Sequence, residues 1–211
     1  RSSGAPLGWN QTLVLAPGET LALGRAKAGC RSWLAVRGGL RVQTCLGSRS
    51  TFLPGGFGGH AGRALQAGDR LRCGDEAASA VRLLHAQPPV ADPAAPLRSV
   101  PGPQVAWFDD RGLAAFFAGR YRVHAASDRR GVRLDGAAVS HARAELPSQG
   151  VLAGAVQVPP DGRPIVLGWD GPVTGGYPVI ACVITADLSR LAQLRAGDSV
   201  RFATIEVDAA R

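Results

Sequence analysis

A seven-residue pattern (apolar, any, small, Gly, acid, any, apolar) recurs along this chain and fixes its local geometry. It reads LQAGDRL at 65–71, LRAGDSV at 194–200 and, more loosely, LAPGETL at 15–21. A glycine before an acid makes a tight turn, and the apolar residues after it lead into a strand. Two near-identical copies, each near the end of one half, predict that a similar unit occurs twice. Turns dominate elsewhere too, because 28 Gly and 15 Pro make up about a fifth of the 211 residues. Hydrophobic residues are 45% of the chain, enough for a packed core.

Apolar runs predict strands at 12–16, 32–37, 80–85, 155–158, 164–168, 178–185 and 199–205. Two helices are expected. One follows Asp109–Asp110 and carries Leu113, Phe116 and Phe117 on one face. The other has Asp187 as its N-cap and Leu188, Leu191 and Leu194 on one face. Pro88, Pro89, Pro93, Pro96, Pro101 and Pro103 block both helix and central strand, so 88–103 is expected to link a lobe at 1–87 to a second at 104–211. The expected class is mostly β, as small barrels or sandwiches with few helices. Arg1 at the start and the absence of Met point to a fragment or processed form.

Several functions are excluded. No apolar run reaches the roughly 18 residues that a membrane-spanning helix needs. The net charge of +8 comes from 23 arginines and a single lysine, Lys27, scattered rather than striped, with only 6% aromatics. That distribution does not suit a nucleic-acid surface. Cys30, Cys45, Cys73 and Cys182 form no CxxC pair, so no metal site is expected, and they read as reduced, buried thiols of a cytoplasmic protein. No G-x-S-x-G elbow and no GK[ST] phosphate loop occur.

Three stretches can carry chemistry. GSRSTFLPGGFGGHAGR at 47–63 sets Ser48, Arg49, Ser50 and His60 among glycines. Glycines let backbone N–H groups approach an anion, and a guanidinium can fork onto a carboxylate; an ordinary barrel loop accounts for the same residues. SDRRGVRLDG at 127–136 offers Ser127, Asp128 and Arg129, either to a polar ligand or as an Asp-capped turn. GAVQVPPDGRPIVLGWDGPVTGGYP at 154–178 brings Gln157, Thr174 and Tyr177 close in sequence, suited to a polar pocket rim or to turns alone. His85 and His124 lie in apolar runs and read as core or barrel-surface residues, whereas His60, between glycines, is the candidate acid/base.

In order, WLAVRGGL, LGSRSTFLPGGFGGHAGRAL, GPQVAWF, SDRRGVRLDG, GAVQVPPDGRPIVL and TGGYPVIACVITADLSRLAQLRAGDSVRF resemble the family of the 5-oxoprolinase C-subunit. The same family is called KipA, allophanate hydrolase subunit 2, or carboxyltransferase-like domain. The resemblance implies two cyclophilin-like β-barrel lobes, the first truncated at its N-terminus. It implies one member of a 5-oxoprolinase complex, working with a KipI-like B-subunit and an A-subunit. That complex would open 5-oxoproline to glutamate, with ATP bound by the complex. A lactam is a poor electrophile, so phosphorylating its carbonyl oxygen and stabilising the resulting charge would activate it.

On this reading Arg49 would hold the substrate carboxylate and His60 would be acid/base. Ser48, Ser50, Ser127, Asp128, Arg129, Gln157, Thr174 and Tyr177 would line a cleft between the lobes. The chain departs from the family pattern at Ala61, at Val179 and across Trp169 to Pro172, which puts catalytic competence in question. Two other roles come with the resemblance. One is the carboxyltransferase of a urea carboxylase, using biotin carried elsewhere, since the Met-Lys-Met attachment motif is absent. The other is a non-catalytic, KipA-like protein that binds a KipI-like kinase inhibitor.

Overall fold

The structure, a computed structural model, describes residues 12–74, 95–142 and 146–210. The chain divides into two units. The first contains 1–22 and 32–88; the second contains 23–31 and 89–211.

In the first unit β1 (Thr51–Phe52) pairs antiparallel with β2 (Phe57–Gly58) around a short 3-10 turn at Leu53–Gly55. Isolated bridges join Leu40 to Cys73, Gln43 to Gly59 and Cys45 to Ser48. The strands expected at 12–16 and 32–37 do not form. Both stretches run without a ladder partner among the described residues, and Val14 and Trp33 stand exposed. Strand propensity without a neighbour to pair with does not make a strand. The stretch 80–85, with His85, lies outside the described residues.

The second unit is built on β3 (Leu97–Pro101), α1 (Asp110–Ala118), β4 (Tyr121–Val123), β5 (Gly131–Asp135), β6 (Gln149–Gly150), β7 (Ala155–Gln157), β8 (Ile165–Leu167), β9 (Thr174–Gly175), β10 (Val179–Val183), α2 (Thr185–Leu191), β11 (Ser199–Val200) and β12 (Phe202–Thr204). Eight strands form one sheet in the order β11-β4-β5-β8-β7-β10-β3-β12. Its two edge strands, β11 and β12, are separated in the chain by Arg201 alone. One extended stretch therefore ladders antiparallel to β4 and then parallel to β3, which almost closes the sheet into a barrel.

The expected linker is corrected here. Residues 97–101 form β3, a fully paired strand, while 88–94 lie outside the described residues. Pro101 ends the strand, where a missing N–H costs least, and Pro96 and Pro103 flank it.

Alternation fills the barrel. Val132 and Leu134 of β5, Val156 of β7, Val166 of β8 and Ile180 of β10 point inward and are buried. Phe116 of α1 stacks on Phe202 with centroids 4.5 Å apart, and Tyr121 packs edge-on against Phe202. Burial pushes the Tyr121 hydroxyl up to about 12. Val151, Ala155, Leu167 and Val179 form a second, smaller buried cluster, and β6 pairs with β9 as a separate two-stranded sheet.

Helix α1 starts as expected, with the Asp109 carboxylate accepting the Gly112 N–H at 2.6 Å. Helix α2 does not start at Asp187, because Ile184 holds the N-cap position and Asp187 falls inside the first turn. The Asp187 carboxylate is buried and turned to β3. It accepts the Arg98 backbone N–H at 2.8 Å and the Arg98 guanidinium at 3.1 and 2.7 Å. The cysteine expectation is also revised: all four are free thiols, but Cys30 and Cys73 are exposed and Cys45 and Cys182 half-buried.

Candidate functional site

The glycine-rich stretch of the first unit is held by its own backbone. A Cβ on Gly58 would strike the Ser50 carbonyl, and one on Gly62 the Gly56 carbonyl. These glycines serve close backbone approach, the barrel-loop alternative, and Gly62 N–H donates to the Gly58 carbonyl at 3.0 Å. Ala61 adopts φ +53° among them, a left-handed conformation that non-glycine residues rarely take.

Beside Ala61, His60 Nε2 lies 3.4 Å from Asp69 Oδ1. Asp69 belongs to the LQAGDRL turn, and its carboxylate also takes a two-pronged grip from Arg63 at 2.8 and 2.8 Å. Those guanidinium hydrogen bonds, with one from the Gln66 N–H, hold the Asp69 carboxyl well below the usual range. The turn thus places a carboxylate on His60, the arrangement that orients an imidazole for proton transfer. Asp69 and Arg63 were not among the residues expected from sequence. The repeated pattern marks Asp69 and HAGR marks Arg63, but nothing in the order of residues shows that the two meet.

Arg49 is exposed and makes no hydrogen bond or ion pair among the described residues. Ser48 Oγ accepts the Ser50 N–H at 3.1 Å, a local turn contact.

In the second unit Ser127 and Asp128 are occupied by their own turn. Ser127 Oγ accepts the Arg133 N–H at 3.0 Å, and Asp128 Oδ1 accepts those of Arg130 at 2.8 Å and Gly131 at 3.2 Å. Arg129 pairs with Asp170 at 2.6 Å at the surface. Thr174 is exposed on β9. Gln157 is buried, its Nε2 has no hydrogen-bond partner among the described residues, and Gly175 leaves the room that this amide fills.

Tyr177 does line a cleft. It shares a hollow of about 350 Å³ with His124, Arg133, Asp135, Pro159, Asp161, Arg163 and Ile165. Strand β5 supplies Arg133 and Asp135 from its outward face, since Val132 and Leu134 point inward. The β7–β8 hairpin supplies Asp161 from its PPDG turn, closed by the Gly162 N–H on the Pro159 carbonyl at 2.9 Å, and Arg163 from the residue after it. Arg163 reaches Asp135 at 3.5 Å. Among the described residues, no group of three His, Cys, Asp or Glu side chains could hold a metal ion, and no helix is long and apolar enough to cross a membrane.

The family described as carboxyltransferase domain, subdomain A and B, matches residues 1–204. The chain belongs to that family. As a carboxyltransferase-domain protein it is 40% identical over 210 residues to the 5-oxoprolinase C-subunit of Escherichia coli, covering 96% of this chain and 64% of that protein. It is 36% identical to the 5-oxoprolinase C-subunit of Haemophilus influenzae, covering 92% of this chain and 62% of the other. The crystal structure of the K. lactis urea amidolyase superposes with a TM-score of 0.72 at 30% identity, over 88% of this chain and 12% of that one. The carboxyltransferase chain therefore spans less than two thirds of the length of these curated relatives.

Proposed function

We propose that this carboxyltransferase-family chain belongs to one member of an ATP-dependent 5-oxoprolinase complex that opens 5-oxoproline to glutamate. The observation that carries the reading is 40% identity to a 5-oxoprolinase C-subunit across 96% of the chain. ATP would be bound by the complex, in the cytoplasm. The work would be shared with an A-subunit and a KipI-like B-subunit.

Within the chain, His60 held by Asp69 is the acid/base. With Nε2 toward the carboxylate, Nδ1 is the nitrogen left to exchange a proton with substrate. Arg49, unpaired among the described residues, is the cation for the substrate carboxylate.

A second reading, carboxyl transfer as in a urea carboxylase, is favoured by the similarity to the K. lactis urea amidolyase. In that role biotin would be carried outside this chain, which contains no Met and so no Met-Lys-Met motif.

Reconstitution of the full-length protein with its partners tests the first reading. Glutamate should appear from 5-oxoproline and ATP only when this protein is present. An equal rate without it would overturn the proposal.

A further inference from the structure

The cleft over β5 and β8 has a composition that selects its occupant. Its charged groups are two guanidiniums, Arg133 and Arg163, and two carboxylates, Asp135 and Asp161. Two of the four are engaged with each other, Arg163 with Asp135 at 3.5 Å. Asp161 has one oxygen on the Arg163 backbone N–H at 3.0 Å, leaving the other for a ligand. The Arg133 guanidinium makes no hydrogen bond or ion pair among the described residues.

His124 adds a donor of fixed direction. Its Nδ1 accepts the Ala126 N–H at 3.0 Å, so the proton of the neutral ring sits on Nε2. The Tyr177 hydroxyl stands on the same rim. Among the described residues, the cleft therefore offers one guanidinium without an ion pair, Arg133, with neutral donors beside it, and one carboxylate without an ion pair, Asp161.

A phosphate dianion would meet two carboxylates here, and a simple amine would meet two guanidiniums. A molecule carrying one carboxylate next to an N–H donor meets neither penalty. Its carboxylate would lie on Arg133 and His124, and its N–H on Asp161. We infer that this cleft binds an α-amino- or α-amidocarboxylate, with Arg133 as the carboxylate anchor and Asp161 as the acceptor of the neighbouring N–H. The inference rests on the 5-oxoprolinase reading and assigns the second unit a binding cleft of its own, additional to Arg49 and His60 of the first unit, because 5-oxoproline and glutamate both present that edge, the first with a lactam N–H and the second with an ammonium.

The test titrates the purified chain with 5-oxoproline, glutamate, glutarate and inorganic phosphate, by calorimetry or NMR. 5-Oxoproline, glutamate or both should bind, identifying a lactam or an ammonium as the preferred donor. Glutarate, which lacks the N–H, and phosphate should bind at least about tenfold more weakly. Arg133→Ala should weaken the preferred ligand at least about tenfold, the loss expected for a hydrogen bond to a charged group. Arg133→Lys should recover part of that loss. Asp161→Asn should weaken binding too, and Arg133→Ala should leave the melting temperature unchanged because the guanidinium has no partner to lose among the described residues.

Phosphate or glutarate binding as tightly as the others, no binding by either α-substituted carboxylate, or binding indifferent to Arg133→Ala would each overturn the inference. Failure here is distinct from failure of the functional reading. Glutamate production by an assembled complex in which neither α-substituted carboxylate binds in an Arg133-dependent way would sink the cleft and leave the reaction standing. Arg133-dependent binding in a complex that makes no glutamate would do the reverse.

Discussion

Ala61 stands at φ +53° between His60 and Gly62, where an L side chain costs about 1–2 kcal/mol. Ala61→Gly should therefore raise stability by roughly 0.5–1 kcal/mol, measured by denaturant unfolding. A destabilised variant would show that the alanine methyl makes a contact worth more than the strain. Arg49 permits a second test. It has no partner of its own among the described residues, so Arg49→Ala should leave melting unchanged. In the assembled complex the same change should raise KM for 5-oxoproline by about 1.5–3 kcal/mol of binding. Lowered stability with unchanged KM would make Arg49 a structural residue.

Sequence reading was partial at this scale. Ser127 and Asp128 carried an explicit turn alternative, and that turn is where their polar atoms lie. The cleft residues Arg133 and Asp135 were not singled out and no strand was expected at 131–135, although GVRLD alternates and so puts both on one face of β5. Their meeting with Asp161 and Tyr177 depends on which strands pair, which local sequence does not show. His124 was read as core or barrel surface, and the structure puts it half-buried on the cleft rim.

Elements show why some sequence patterns translate directly into structure. The repeated motif forms the same turn at all three sites. Gly18, Gly68 and Gly197 take φ of +85°, +90° and +89°. In each, the acid after the glycine accepts the N–H of the residue three positions before it, at 2.8 Å for Glu19, 2.7 Å for Asp69 and 2.7 Å for Asp198. The carboxylate and the glycine are both needed, so the whole pattern repeats rather than the glycine alone. Gly197→Ala should cost about 1 kcal/mol or more, read as a lowered denaturation midpoint with unchanged slope.

The strands at 155–157, 165–167 and 179–183 and helix α1 were also legible, because apolar spacing and a local cap specify them. Helix α2 was placed correctly but its start was not. Asp187 looks like a cap in sequence, but Arg98, 89 positions away, claims its carboxylate. Long-range pairing of this kind leaves no mark on local sequence.

At the scale of the molecule, that same ion pair ties α2 to the outward face of β3. Burial pushes the Asp187 carboxyl up, but the hydrogen bonds from Arg98 outweigh it and the net shift is downward. A carboxyl with a lowered folded value stabilises the fold above its unfolded value, near about 3.9, and that contribution is lost as pH falls through the folded value. Wild-type stability should therefore decline below about pH 4. Asp187→Ala should lose about 3 kcal/mol at neutral pH and show a flatter acid limb, measured by urea unfolding across pH. An unchanged acid limb would mean that other carboxylates set the acid response. The closure of the barrel was the least legible feature. The run 199–205 reads as one strand, but it is two, one at each edge of the sheet.

The proposed role of this carboxyltransferase fold is lactam opening rather than carboxyl transfer. The most direct measurement assays one preparation of the full-length protein with its partners on two substrates in parallel. The first is 5-oxoproline with ATP, scored as glutamate formed. The second is urea with carboxybiotin, scored as labelled carbon transferred to urea. The expected result is glutamate formation that depends on His60 and no labelled product from urea. Labelled carbon on urea, with no glutamate from 5-oxoproline, would contradict it.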